Sequence, residues 1–174
     1  MELVSHPCIM DYHINEFPWE DIMHRAVRQG YRSHQTSTCG LHLHVNRNAF
    51  SDNQEGQDEV ISRILYFVEH HWNELLKFSR RSEYTMNRWA ARYGYEHTPK
   101  AIMDKAKKGG NGRYAAVNLC NYHTVEFRLF RGTLKYNTFV ATIQLVNHIC
   151  DAAMYNTDDS IAKLSWSDFV ADIT

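Results

Sequence analysis

Apolar and polar positions along the chain follow two periods, and the elements can be read from them. In GLHLHVNR, Leu41, Leu43 and Val45 alternate with His42, His44 and Asn46. That period of two predicts a strand over 40–47 with both imidazoles on one face. Val60, Ile61, Ile64, Leu65, Val68 and Leu75 recur at three- and four-residue spacing and predict a long helix over 57–78. Pro18 at a first turn and Gly30 past a last one bracket a helix over 19–29. MELVSHP reads as a short strand stopped by Pro7, 83–94 as a shorter aromatic helix, and KAKKGGNG, 105–112, as a mobile loop by composition. RYAAVNLC and HTVEFRLFRG read as two antiparallel strands joined at Asn121-Tyr122. A helix starting at Thr138 buries Phe139, Ile143, Val146 and Ile149, and a short one over 166–173 closes the chain. Strands separated by helices and ending in a hairpin predict an α+β fold, an antiparallel sheet with helices packed on one face. No repeat or linker divides the 174 residues, so one domain over 1–174 is expected.

The polar face of that sheet is unusual. On 125–129, Val125, Phe127 and Leu129 point to the core and leave Glu126 and Arg128 on the other side with His42 and His44. Glu2 joins them if the first strand enters the sheet. Exposed strand faces ordinarily carry Thr, Lys, Ser or Gln, so His, His, Glu, Arg and Glu look chosen for chemistry. Carboxylate and imidazole together can hold a divalent ion, imidazole suiting Mn²⁺ or Zn²⁺ better than Mg²⁺. An arginine two residues from the glutamate can clamp a phosphoryl group. Taken singly, the His-x-His and Glu-x-Arg pairs are also compatible with ordinary surface positions.

Composition narrows the class. Hydrophobic residues make up 44%, charged residues 22%, and the formal net charge is −1, which excludes a wholly basic nucleic-acid binder and an acidic disordered chain. Charge is uneven: between Lys77 and Arg113, ten Lys or Arg face three acids, an excess of seven. That stretch is either a solvated basic face or the meeting place of an anion bearing phosphate. Cys8, Cys39, Cys120 and Cys150 form no CxxC pair, so free thiols in a reducing cytoplasm are expected. No signal peptide or bilayer-length apolar run is present in the sequence, so no membrane partner is expected.

Order and flanks carry more than any single motif. GLHLHVNRNAF, then FSRRSEYTMNRWA, then RYAAVNLCNYHTVEFRLFRGTLKYNTFVATIQLV, together with the opening ELVSHP, resemble the amidoligase family of carboxylate–amine ligases, relatives of glutamine synthetase and glutamate–cysteine ligase. The resemblance runs from Glu2 to about Ala153 and is most specific over 113–134. It implies a glutamine synthetase-like catalytic fold that joins a carboxylate to an amine with ATP and Mg²⁺ (or Mn²⁺) through an acyl phosphate. Carried over by position, it makes Glu2 and Glu126 metal ligands and places His42 and His44 at metal or nucleotide phosphate. Arg128 then holds the transferred phosphoryl group, Arg113 phosphate or substrate carboxylate, and Asn118 a matching polar position on the nucleotide. The family's Glu-x-Glu strand, which precedes its ELVS-like strand, has no counterpart in this sequence. A reduced, inactive relative is therefore the alternative: an inhibitor of the phage or mobile-element kind whose target is a protein or nucleoprotein. A sheet short of a neighbour also makes a homodimer through its open edge an expectation.

Overall fold

The computed structural model describes residues 2–34, 36 and 39–173. Among them are nine α-helices and three strands in one antiparallel sheet, the α+β class expected. The helices are α1 (Met10–Asn15), α2 (Trp19–Arg28), α3 (Gln54–His70), α4 (Trp72–Ser79), α5 (Glu83–Trp89), α6 (Pro99–Lys107), α7 (Tyr136–Tyr155), α8 (Asp158–Lys163) and α9 (Trp166–Ala171). The strands are β1 (Gly40–Asn46), β2 (Val117–Asn118) and β3 (Thr124–Arg131), with β3 in the middle.

Local chemistry explains most of the boundaries. Asn53 accepts from the Gly56 amide at 2.8 Å and starts α3, while Thr98 accepts from Ala101 at 3.1 Å ahead of Pro99 in α6; each satisfies a first-turn N–H that the helix cannot. Thr157 and Ser160 form a capping box at α8. Glu20 and Asp21 at the start of α2, and Arg25 and Arg28 at its end, oppose the helix dipole.

Four expectations give way. The long helix predicted over 57–78 is two, broken at His71, which leaves helical geometry at φ −103° and ψ 29°. The buried His71 ring donates from Nε2 to the Leu164 carbonyl at 3.0 Å, so the break is tied to the α8–α9 link. Part of the loop expected over 105–112 is the end of α6; chain reversal is left to 108–112, where Gly109 and Gly112 take φ of 74° and 51°. Residues 113–116 do not extend a strand: a 3-10 turn over Gly112–Tyr114 delivers the chain to a two-residue β2. Finally, residues 2–9 pair with no strand among the described residues and lead into α1.

The core lies behind the sheet. Val125, Phe127 and Leu129 of β3 are completely buried and pack with Ile61, Ile64 and Phe67 of α3 in one cluster, to which α6 and α7 contribute. A second cluster joins Trp19 and Met23 of α2 to Phe139 and Ile143 of α7, under Leu41 and Leu43. The apolar face of β1 is thus covered from one side, and its histidines face away.

Candidate functional site

The ladder places His44 opposite Glu126, and Glu126 opposite Asn118, so three polar side chains share one row across the sheet. The rows beside it are apolar, Leu43–Phe127–Val117 on the core side. Between Leu41–Phe130 and Leu43–Phe127 the register slips, with Arg128 and Leu129 standing against His42 alone. This is a β-bulge, the device that re-aims a side chain without breaking the sheet. It gathers Arg128 and His42 beside the Glu126 row.

Glu126 is the hub. Its carboxylate, 8% exposed, accepts from Arg128 Nη1 at 2.6 Å on Oε1 and from Asn118 Nδ2 at 2.7 Å on Oε2. His42 Nδ1 lies 3.2 Å and His44 Nε2 3.7 Å from the same Oε1. His44 is steadied from its other side by the Thr124 hydroxyl at 3.1 Å. Burial, and after it the charge of Arg128, hold the His42 pKa below its ordinary 6.5, with Glu126 pulling the other way and Arg81 and His44 adding to the fall. His42 is therefore a neutral base at neutral pH.

Further arginines crowd in beside Arg128 and His42. Arg80 closes α4 in the left-handed region at φ 57°, and the turn it makes sends Arg81 to the Phe130 carbonyl at 2.9 Å. Burial lowers the Arg81 pKa, and Arg128 and Arg131 lower it further, a sign of crowded positive charge. Gly40 makes room for the crowd: a Cβ there would lie 2.7 Å from Arg81 Nη2 and 2.8 Å from His42 Nε2. Arg113, in the 3-10 turn rather than at a strand's start, donates to the Tyr114 hydroxyl at 2.9 Å. The Tyr114 ring in turn lies 5.9 Å from the Arg128 guanidinium. Most telling, Arg128 Nε is buried and has no hydrogen-bond partner among the described residues. A buried guanidinium N–H left unpaired is costly, and an anion meets Arg128 on the part of its side chain that stays exposed.

Of the residues singled out from the sequence, His42, His44, Asn118, Glu126 and Arg128 converge, and Arg113 stands at the rim. Glu2 does not join them; it is exposed, outside the sheet, in the segment before α1. Two residues escaped the sequence reading. Arg81 lay in the quoted FSRRSEY stretch and in the basic third, but nothing local tied it to β3. Gly40, which opens the GLHLHV strand, carries no periodic signal. A cleft of about 800 Å³ at the start of α7, lined among others by His24, Arg32, Ser33 and Lys135, shares no residue with the cluster; the donors for chemistry are on the sheet.

The cluster fits an oxyanion better than a metal. Its one carboxylate is already ion-paired with Arg128, and among the described residues no group of three or more His, Cys, Asp or Glu is arranged to hold a metal ion. Mg²⁺ wants free carboxylate oxygens, and none is free here. Among the described residues no helix is long and apolar enough to cross a membrane.

Residues 1–150 match the family model described as "Putative amidoligase enzyme". No curated protein and no solved structure matches the chain.

Proposed function

The chain belongs to the amidoligase family, and from that premise we propose that it is an ATP-dependent ligase joining a carboxylate to an amine at the polar face of the sheet. The observation that carries this is Arg128, a partly exposed guanidinium that the protein ties down through Nη1 to Glu126 and leaves without a partner at Nε among the described residues. In the first step a substrate carboxylate oxygen bonds to the γ-phosphorus of ATP and the bond to the β-phosphate oxygen breaks, giving an acyl phosphate and ADP. Arg128 holds the transferred group, and Arg81 and Arg113 offset charge on the departing phosphates. In the second step the amine nitrogen bonds to the acyl carbon, the acyl–oxygen bond breaks and inorganic phosphate leaves. The amine's proton passes to His42, whose neutral form is favoured and whose Nδ1 side is turned to Glu126. Asn118 and His44 act through Glu126, holding its carboxylate in place. Mg²⁺ or Mn²⁺ is expected to arrive on the nucleotide's phosphates rather than in a protein cage.

The test is acyl-phosphate trapping: the protein, ATP with Mg²⁺ or Mn²⁺, hydroxylamine, and a panel of amino acids and short peptides as carboxylates. Hydroxamate and ADP formed together, and lost in Arg128→Met, support the reading. ADP formed without hydroxamate across the panel, or neither product, counts against it. A second reading, an inactive relative that binds and inhibits a protein or nucleoprotein, is favoured by one observation: Glu126 is the cluster's single carboxylate and is neutralised by Arg128. Homodimerisation through the outer edge of β1, unpaired among the described residues, belongs to either reading and is read by light scattering.

A further inference from the structure

Beside Arg128 the protein carries a wall of alternating rings and cations. Tyr114 lies 5.9 Å from the Arg128 guanidinium and 5.0 Å from that of Arg113. Trp89 meets Tyr114 edge-on, centroids 5.7 Å apart and planes at 68°, and Arg88 sits 4.7 Å from the Trp89 ring centroid. The wall is fixed to the sheet. Ala91 donates to the Tyr114 carbonyl at 2.7 Å and its own carbonyl accepts from Ala116 at 2.8 Å, which ties the end of α5 to the 3-10 turn.

Core packing does not account for these rings. Trp89 and Tyr114 are half-buried, yet neither belongs to, or packs against, either hydrophobic cluster, whereas nearby Tyr93 packs on the main core. Among the described residues Arg88 and Arg113 have no carboxylate at ion-pair distance, although both are exposed beside the rings. Each half-open ring already carries a cation over one face, Arg88 on Trp89 and Arg113 on Tyr114, so π-surface and positive charge stand together. That pairing recognises a planar base attached to phosphates. The wall runs from Arg128 through Tyr114 to Trp89, in steps of 5.9 Å and 5.7 Å.

We infer that Trp89 is the platform on which the nucleobase of the bound nucleotide stacks, with Tyr114, set at 68° to it, bounding the stack and Arg113 and Arg128 on the phosphates. The inference rests on the ligase reading of the Arg128 site and adds to it the subsite that distinguishes a nucleotide from a bare polyphosphate.

The experiment compares ATP with inorganic tripolyphosphate, each titrated calorimetrically into the full chain and into Trp89→Ala, Trp89→Phe and Tyr114→Ala, with Trp emission recorded in parallel. Wild type is expected to bind ATP about tenfold more tightly than tripolyphosphate, as one stacked base provides. Trp89→Ala should bring ATP down to the tripolyphosphate value and leave tripolyphosphate unchanged; Trp89→Phe should keep most of the difference. Equal wild-type affinities overturn the platform alone. Equal losses for both ligands in Trp89→Ala also overturn it, since the rings would then only prop up the arginines. A single-stranded oligonucleotide that outcompetes ATP in a Trp89-dependent way assigns the wall to nucleic acid instead and overturns the nucleotide assignment. Wild type that binds neither ligand overturns the anion role of Arg128, and the platform with it.

Discussion

Replacing Glu126 by Gln isolates the charge at the centre of the site. Gln keeps the shape, and its carbonyl can still accept from Asn118 Nδ2, which now lies 2.7 Å from Oε2. What is lost is the counter-charge of Arg128, whose side chain is only 14% exposed and sits near Arg81. Removing one partner of a buried pair costs about 3–5 kcal/mol. The rim of this pair is open to water, so the lower end, about 3 kcal/mol, is expected. For a domain of this size each kcal/mol moves Tm by about 2–4 °C, which gives a fall of about 6–12 °C. The same arithmetic predicts a rescue. An anion that reaches Arg128 replaces the missing charge, so tripolyphosphate should raise Tm more in Glu126→Gln than in wild type. Thermal melts followed by circular dichroism, in low-salt buffer with and without tripolyphosphate, read both effects. A mutant within about 2 °C of wild type, or an equal tripolyphosphate shift in the two proteins, would refute a buried, anion-seeking Arg128.

Other consequences are smaller in scale. Gly40→Ala pushes a methyl to within 2.7 Å of Arg81 and 2.8 Å of His42; both are movable side-chain ends, so melting should change little while tripolyphosphate binding weakens severalfold, and unchanged binding would separate these groups from the site. Arg80→Gly removes a left-handed non-glycine at φ 57° and should stabilise the fold by about 1 kcal/mol in urea unfolding; a loss would show that its side chain matters more than its backbone. His13, His42 and His71 all have pKa values lowered chiefly by burial. A lowered histidine pKa means folding opposes protonation, so stability is whole above pH 6.5 and falls as pH drops below it; a Tm that holds steady or rises from pH 7 to pH 5 would contradict this.

How much was legible follows from where each signal resides. The alternation in GLHLHV and in VEFRL fixed which residues face away from the core, and β1 and β3 keep that order, with His42, His44, Glu126 and Arg128 on one face. Period two is a local property, so it survives without tertiary information. The bulge that sets Arg128 against His42 is not local: the pairs that flank it, Leu41–Phe130 and Leu43–Phe127, join residues more than 80 positions apart. Arg81 was invisible as a site residue for the same reason, since its link to the Phe130 carbonyl spans 49 positions. ELVS has strand-like residues, but propensity alone does not place a strand, and it pairs with nothing among the described residues although the outer edge of β1 stands open. For α6 the glycines of KAKKGGNG outweighed a start signal that was present, Thr98 before Pro99. The His71 break had no periodic trace, because Val68 and Trp72 keep the helical spacing across it.

The most direct test of the central claim, that Arg128 at this sheet face takes the phosphates of ATP, is calorimetric titration of ATP with Mg²⁺ or Mn²⁺ into wild type and into Arg128→Met. Wild type is expected to bind saturably, and a folded Arg128→Met is expected not to bind. No binding by wild type, or binding that the substitution leaves untouched, would contradict that claim.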